Sequence, residues 1–378
     1  MSRRAGSHRY LVLTPGMTGA DGIAELSRLV VRALSPAGTE PVSATVDVLS
    51  LTDPPGFGAN DRDGGAGIRF FGVAGGRARF VAAALRARMG CPRGADILCL
   101  HLHLSPVARL IAARRARLIT LLAGIEAWRP LRRRERLALR RSDLLVSISA
   151  HTARRFLDAN PDFEDRPVRV CHLAVRDRDG SILGLEPGGR AARPARGSFA
   201  LIVGRMAADE RYKGHDLLID VWPRVVAEAP EAALVVVGDG DDRARLEARA
   251  SRVRKHVCFL GRVSDGVLAE LYRDCAFFAM PSRDEGFGLV FLEAMREGKA
   301  CIGGMGAAAE VIEDGVSGLV VPPDDRERLL EAVLRLFREP DTRARMGQAG
   351  AERVAREFTE AHFRVRFRAL LGPASSRP

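Results

Sequence analysis

The stretch PSRDEGFGLVFLEAM, Pro281 to Met295, gathers the residues best suited to chemistry. The apolar run AFFAM precedes it and a helical pattern follows. Gly286 and Gly288 let the backbone approach a bound group closely. A helix starting there offers unpaired N–H groups and a partial positive charge. Glu285 stands in the turn and Glu293 lies along the helix. Two carboxylates flanking such a turn can accept hydrogen bonds from sugar hydroxyls while the amides hold a phosphate. A solvent-facing acidic loop before an ordinary helix has the same spacing.

A second constellation is GRMAADERYKG, with Arg205 directly after the run FALIV and Lys213 just before Gly214. Parallel α/β sheets bind ligands at the carboxyl ends of their strands. Two cations there neutralise a diphosphate as leaving-group charge grows; a solvated basic loop is the competing reading. In ILCLHLHLSPV, His101 and His103 alternate within an expected strand, Asp96–Leu104, and so share a face. They are either structural histidines or groups able to polarise an acceptor hydroxyl; no third ligand is near enough to suggest zinc. Three D-x-D pairs occur, Asp61/Asp63, Asp177/Asp179 and Asp239/Asp241. The first two lie in loops outside any strand, whereas the third, in VVVGDGDD, follows one and is the pair that could carry a divalent ion. The run Arg129–Arg141 (RPLRRRERLALRR), beside Trp128, is either a solvated helix face or an anionic-membrane contact.

Short β-branched runs alternating with amphipathic segments position these residues, the pattern of parallel α/β units. Strands are expected at Tyr10–Thr14, Ala44–Leu49, Ile68–Gly72, Leu118–Leu122, Leu144–Ser149 and Val168–Leu173. In the second half they fall at Phe199–Val203, Ala233–Gly238, Val257–Leu260, Ala276–Met280, Ala300–Gly303 and Gly318–Val321. Helical spacing marks Gly214–Ala229, Asp242–Val253, Arg326–Phe337 and Asp341–Leu371, the last with a break near Phe358–Thr359. Asp53–Gly67 reads as a mobile loop and Arg176–Ser198, rich in Gly, Pro and Arg, as a linker.

With 378 residues, 47% apolar, 6% aromatic and 28% charged, the chain suits two soluble globular domains. No apolar run approaches the roughly 18 residues of a membrane helix, and the apolar stretch near the start is too short for a signal peptide. The six scattered cysteines read as reduced and structural. A net charge of +12 fits nucleic acid, an anionic bilayer or phosphate-bearing small molecules, and does not choose among them.

The second half resembles family 4 of the retaining glycosyltransferases, the group 1 glycosyltransferases of GT-B fold. The matching pieces run in the family's order: GRMAADERYKG, LVVVGDGDDRARL, VCFLGRVSDGVLAELYRDC, PSRDEGFGLVFLEAMREGKACI and AEVIEDGVSGLVVPPDD. The resemblance implies that Arg205 and Lys213 contact the donor diphosphate. It places Glu285 against the donor sugar, with backbone amides from Phe287, Gly288 and Leu289. Glu293 would hold the ribose hydroxyls, and Gly261, Arg262 and Val263 would frame the base. TPGMTGADGIAELSR, Thr14 to Arg28, resembles the glycine-rich donor loop, with Gly19, Ala20 and Asp21 nearest the sugar phosphate. It reads G-x-x-G-x-x-G, unlike the dinucleotide fingerprint. Leu121–Ser149 resembles an H-G-x-E-x-W segment in which Ala123 replaces the histidine. His103 is the candidate to stand in.

The implied architecture is α/β, GT-B, with two doubly wound Rossmann-like domains facing across a cleft. Residues 1–180 form the acceptor-side domain, 181–198 the linker, 199–355 the nucleotide-sugar-binding domain, and 356–378 a helix crossing back. The implied function is retaining hexosyl transfer from a nucleotide-diphosphate sugar, of GDP-mannose or UDP-glucose type, to a lipid-linked saccharide in polysaccharide biosynthesis. The expected catalytic set is Glu285, Arg205, Lys213, Asp21 and His103, with no metal, no further cofactor and no nucleic acid. The expected location is cytoplasmic, at the inner face of the plasma membrane. A non-catalytic nucleotide-sugar-binding protein and a basic membrane-surface protein are the rivals.

Overall fold

A computed structural model describes residues 8–19, 21–35, 44–56, 67–89, 95–112, 116–176 and 198–372. Contacts divide the chain into two compact units, Met1–Ala174 with Glu360–Pro378, and Val175–Thr359. The linker expected at 181–198 falls, except for Ser198, outside the described residues.

The first unit runs β1 (His8–Thr14), α1 (Gly22–Leu34), β2 (Ala44–Ser50), β3 (Ile68–Gly72), α2 (Arg77–Met89), β4 (Asp96–Cys99) and α3 (Ser105–Ile111). It continues with β5 (Arg117–Leu122), α4 (Arg133–Arg141), β6 (Leu144–Ser147), α5 (Ala150–Ala159) and β7 (Val168–Val170). The strands pair in parallel in the order β3-β2-β1-β4-β5-β6-β7. Central strands such as β4 (DILC) are buried along their whole length, as helices on both faces require, whereas the edge strand β3 alternates. Right-handed crossovers carry α1 to one face and α2 through α5 to the other; α2 packs on α3, and α3 on α4.

The second unit runs β8 (Phe199–Val203), α6 (His215–Glu228), β9 (Ala233–Val237), α7 (Arg243–Arg249), β10 (Val257–Gly261), α8 (Asp265–Asp274) and β11 (Phe277–Met280). There follow α9 (Leu289–Arg296), β12 (Cys301–Gly304), α10 (Ala308–Val311), β13 (Gly318–Val321), α11 (Arg326–Arg338) and α12 (Pro340–Glu357). Its parallel sheet has the order β10-β9-β8-β11-β12-β13. Phe277, Phe278, Phe291 and Trp222 fill the core around it.

The helical pattern over Asp341–Leu371 is two helices. Phe358 leaves helical geometry (φ −122°, ψ 25°), is buried, and its carbonyl accepts the Val175 amide. The next helix, α13 (Glu360–Leu371), belongs to the first unit and packs on α1. Arg368 donates to the carbonyls of Ala33 and Ser35, and Arg364 to that of Arg32, capping the end of α1. Cys99, Cys171, Cys275 and Cys301 are buried free thiols and Cys258 is half-buried; Cys91 lies outside the described residues.

Candidate functional site

Each sheet reverses its strand order once, between β1 and β4 in the first unit and between β8 and β11 in the second. Beyond such a reversal the two flanking loops diverge and leave a crevice at the carboxyl ends. Both sets of candidate residues stand at these two points.

In the second unit Glu210, 7% exposed, holds both cations. Its Oε2 accepts from Arg205 Nε at 3.0 Å and from Lys213 Nζ at 2.7 Å, while Arg205 Nη2 bonds Oε1. Burial pushes the Glu210 carboxyl up, but the bonds from Arg205 and Lys213 outweigh it and hold the group below its usual range. The β8 and β11 loops are tied together, since Arg283 N donates to Tyr212 O at 2.8 Å. The GDG turn closes on the β8 loop from the other side. Gly238 (φ 131°) comes so near that a Cβ would lie 1.9 Å from Gly204 O. Asp241 accepts from Ala208 N, and Asp239 from Gly240 N. The D-x-D pair Asp239/Asp241 thus braces the turn. The pairs Asp61/Asp63 and Asp177/Asp179 lie outside the described residues.

Glu285 sits half-buried in the loop after β11. Burial raises its carboxyl, against the pull of Lys213 and of two amides, those of Gly286 (3.2 Å) and Phe287. Of the three amides expected to face a ligand, Phe287 N is therefore turned onto Glu285, and the Phe287 side chain is buried near Phe358. Gly288 (φ 92°) caps α9, where a Cβ would stand 2.5 Å from the Phe291 ring. The Gly288 and Leu289 amides have no acceptor inside the helix. Glu293, one turn further along, accepts a hydrogen bond from the buried Tyr272 hydroxyl at 2.8 Å. Tyr272 lies on α8, which starts just after Gly261, Arg262 and Val263; Gly261 is buried at φ 71°, and Arg262 is exposed.

In the first unit a cavity of about 260 Å³ is lined by Gly16, Gly19, Asp21, Thr52, His101 and His103 among others. The expected strand Asp96–Leu104 is a correction. β4 ends at Cys99, and Leu102–Leu104 is a helical turn that runs into α3. His101 and His103 meet through that turn, with His101 Nδ1 accepting from His103 N at 3.3 Å and ring centroids 4.8 Å apart. Burial, followed by the neighbouring His103, lowers His101 to about 4. His103 is exposed at the cavity. Asp21 caps α1 through Ala24 N. Ala20 lies outside the described residues. Ala123 donates its amide to Glu126 at 2.9 Å, and burial pushes the Glu126 carboxyl up.

Sequence reasoning missed the groups that fix the glycine-rich loop. Asp53, 2% exposed, accepts from Met17 N (2.7 Å), Thr18 N (3.2 Å), Thr18 Oγ1 (2.5 Å) and Ser50 Oγ (2.6 Å). Burial raises its carboxyl, yet these bonds together hold it below its ordinary value. Arg28 grips the other side through the carbonyls of Met17 and Gly19. Asp53 is thus a clamp and not, as its sequence context suggests, the start of a mobile loop.

The basic run is also redrawn. Arg136 and Arg140 pair with Asp162, Arg140 also with Asp165, and Arg141 with Asp143. Trp128 is half-buried against His151 and Arg155. Arg132, Arg133 and Arg134 remain exposed.

The family model for Glycosyl transferases group 1 matches residues 198–339. The chain is 33% identical over 230 residues to a GDP-mannose-dependent monoacylated alpha-(1-6)-phosphatidylinositol monomannoside mannosyltransferase of Corynebacterium glutamicum. That match takes in 57% of this chain and 58% of the relative, so it spans little more than half of that protein. A GDP-mannose-dependent alpha-(1-6)-phosphatidylinositol monomannoside mannosyltransferase of Mycolicibacterium smegmatis is 31% identical over 265 residues, 65% of this chain and 67% of the relative. Among solved structures, HepE of Anabaena in complex with UDP-glucose superposes with a TM-score of 0.74 at 20% identity. That superposition covers 96% of this chain and 99% of HepE, a likeness of fold. The motifs of the second unit and the match to two thirds of the Mycolicibacterium relative place this chain in the family of group 1 glycosyl transferases, with their GT-B fold.

Proposed function

We propose that this chain is a retaining family 4 hexosyltransferase that moves a mannosyl group from GDP-mannose to a lipid-linked polyol or saccharide at the inner face of the plasma membrane. The observation that carries the reading is the triad Arg205–Glu210–Lys213 at the strand-order reversal of the second unit, beside Glu285 and the start of α9. One buried carboxylate holds two cations where a diphosphate would lie. The relatives' names favour GDP-mannose over UDP-glucose, and their phosphatidylinositol mannosides suggest the acceptor class.

Arg205 and Lys213 neutralise the diphosphate as the bond from its oxygen to the sugar C1 breaks. The amides of Gly288 and Leu289 add their partial charge. Glu285 faces the sugar, Glu293 takes the ribose hydroxyls, and Gly261, Arg262 and Val263 frame the base. The acceptor oxygen bonds to C1 on the face the diphosphate leaves, and the acceptor proton passes to the departing phosphate oxygen. His103 and Asp21 orient the acceptor hydroxyl at the first unit's cavity. Cations and amides supply the charge that a metal ion would, so the reaction proceeds without one.

The test is GDP release from GDP-mannose by the purified chain, with and without an alkyl mannoside or phosphatidylinositol mannoside, in excess chelator. Acceptor-dependent release supports the reading. Binding of GDP-mannose without any release identifies a non-catalytic binding protein. Loss in chelator with recovery on Mn²⁺ rejects the metal-free scheme.

A further inference from the structure

We propose that Asp239 and Arg243 read the base of the donor nucleotide and select guanine. The proposal rests on the transferase reading above and deepens it, since it concerns the specificity of the same donor site. Asp239 stands in the GDG turn after β9, and Arg243 opens α7. The turn is fastened to the diphosphate side of the crevice, where Met206 N, one residue beyond Arg205, donates to Asp239 O at 3.0 Å. β9 lies between β8, which ends at the cations, and β10, which ends at Gly261. Two strand spacings are about 10 Å, the order of length of the nucleoside that joins a diphosphate to its base.

Glu247 Oε1 accepts from Arg243 Nε at 2.7 Å and steadies the guanidinium from behind. Nη2 has one long bond, 3.4 Å, to the Phe259 carbonyl, at the point where the pairing of β10 with β9 shifts register. Nη1 lies over the buried turn at Gly261, 2.8 Å from where a Cβ would stand, so a side chain there would displace it. Among the described residues Nη1 makes no hydrogen bond; Asp239 Oδ1 is 3.9 Å away, too far for one. Asp239 Oδ1 accepts from Gly240 N at 2.9 Å, and its Oδ2 has no partner among the described residues. A donor and an acceptor therefore stand side by side, unsatisfied by each other, beside the turn that frames the base. Guanine presents along one edge an acceptor, O6, followed by two donors, N1–H and the 2-amino group. Arg243 donating to O6 and Asp239 accepting from the two donors match that order. Uracil has a single donor, N3–H, between two carbonyls, so one carboxylate oxygen would face a lone pair. Adenine reverses the order, with an amine donor beside the N1 acceptor.

Calorimetry of the full chain with GDP, IDP, UDP and inorganic pyrophosphate, in excess chelator, tests this. IDP keeps O6 and N1–H and lacks the 2-amino group. The unaltered chain should bind GDP about tenfold more tightly than IDP, the scale of one hydrogen bond to a charged group, and IDP more tightly than UDP. Asp239→Asn keeps the oxygen that Gly240 N needs but sets an amide N–H against guanine's donors. It should weaken GDP about tenfold more than IDP and so abolish the preference. Arg243→Gln should weaken GDP and IDP alike, about tenfold, because both carry O6. Pyrophosphate has no base and should bind both variants as it binds the unaltered chain, which also shows that they are folded. A GDP-to-IDP ratio that Asp239→Asn leaves unchanged, or a GDP affinity untouched by Arg243→Gln, would overturn the proposal. Pyrophosphate binding with GDP no tighter than UDP would overturn it while the transferase reading stands. Absence of both GDP and pyrophosphate binding in the unaltered chain would remove the donor site itself, and this proposal with it.

Discussion

Glu210 joins two cations that sequence spacing had identified separately. Arg205 is largely exposed, and an exposed guanidinium on a free loop would lose rotamer freedom when it engages phosphate. Holding it beforehand removes that cost. Arg205→Ala or Lys213→Ala should therefore weaken GDP binding and slow transfer on the order of a hundredfold, measured by calorimetry and steady-state kinetics. Glu210→Gln should cost less than either, because both cations survive with poorer alignment. Normal kinetics in all three variants would reject this assignment. Tyr272 plays a comparable part for Glu293. Tyr272→Phe should weaken GDP about tenfold, the scale of one hydrogen bond to a charged group, and leave inorganic pyrophosphate unaffected, since pyrophosphate has no ribose. His103→Ala should lower turnover with GDP affinity unchanged, and His101→Ala should do less. The cations and carboxylates were legible because their motifs are local. Asp53 and Tyr272 were not, because the groups they bond lie 36 and 21 positions away and meet them only after the sheets form.

At the scale of elements, β-branched runs ending in Gly, Ser or Pro located the strands well, since buried parallel strands need continuous apolar sequence. β4 is shorter than its sequence suggests, because His-Leu-His-Leu mimics strand alternation. Pro106 favours a helix start, and His101 capping His103 N turns the chain there. Asp53 and Arg28 shape the glycine-rich loop together with Gly16, where a Cβ would stand 2.6 Å from Thr52 Oγ1. A Cβ at Gly19 would meet only ordinary contacts, the nearest Ala24 Cβ at 3.5 Å. Asp53→Ala should leave the buried Met17 amide without an acceptor, at a cost of about 2 kcal/mol. Transfer should fall while GDP binding to the second unit persists. Loss of both together would mean the variant had disturbed the whole fold.

For the whole molecule, a buried imidazole, His215, and a half-buried one, His101, should set the acid limit of stability. His101 and His215 lie in different units, and burial lowers each to about 4 from an ordinary 6.5. Between those values the unfolded chain binds protons that the folded chain refuses, so stability is complete above about pH 6.5 and declines as pH falls toward 4. Asp53, Asp242 and Glu210, all held below their usual range, extend the loss to lower pH. Thermal unfolding followed from pH 8 to pH 5 should show a falling Tm, and His215→Phe should flatten part of the decline. A constant Tm would show that the imidazoles protonate freely in the fold. The central claim is tested most directly by NMR of the product formed from GDP-α-mannose and an alkyl mannoside in excess chelator. An α-linked product with one GDP per linkage is the result expected. A β-linked product, or no GDP at all, would contradict the account.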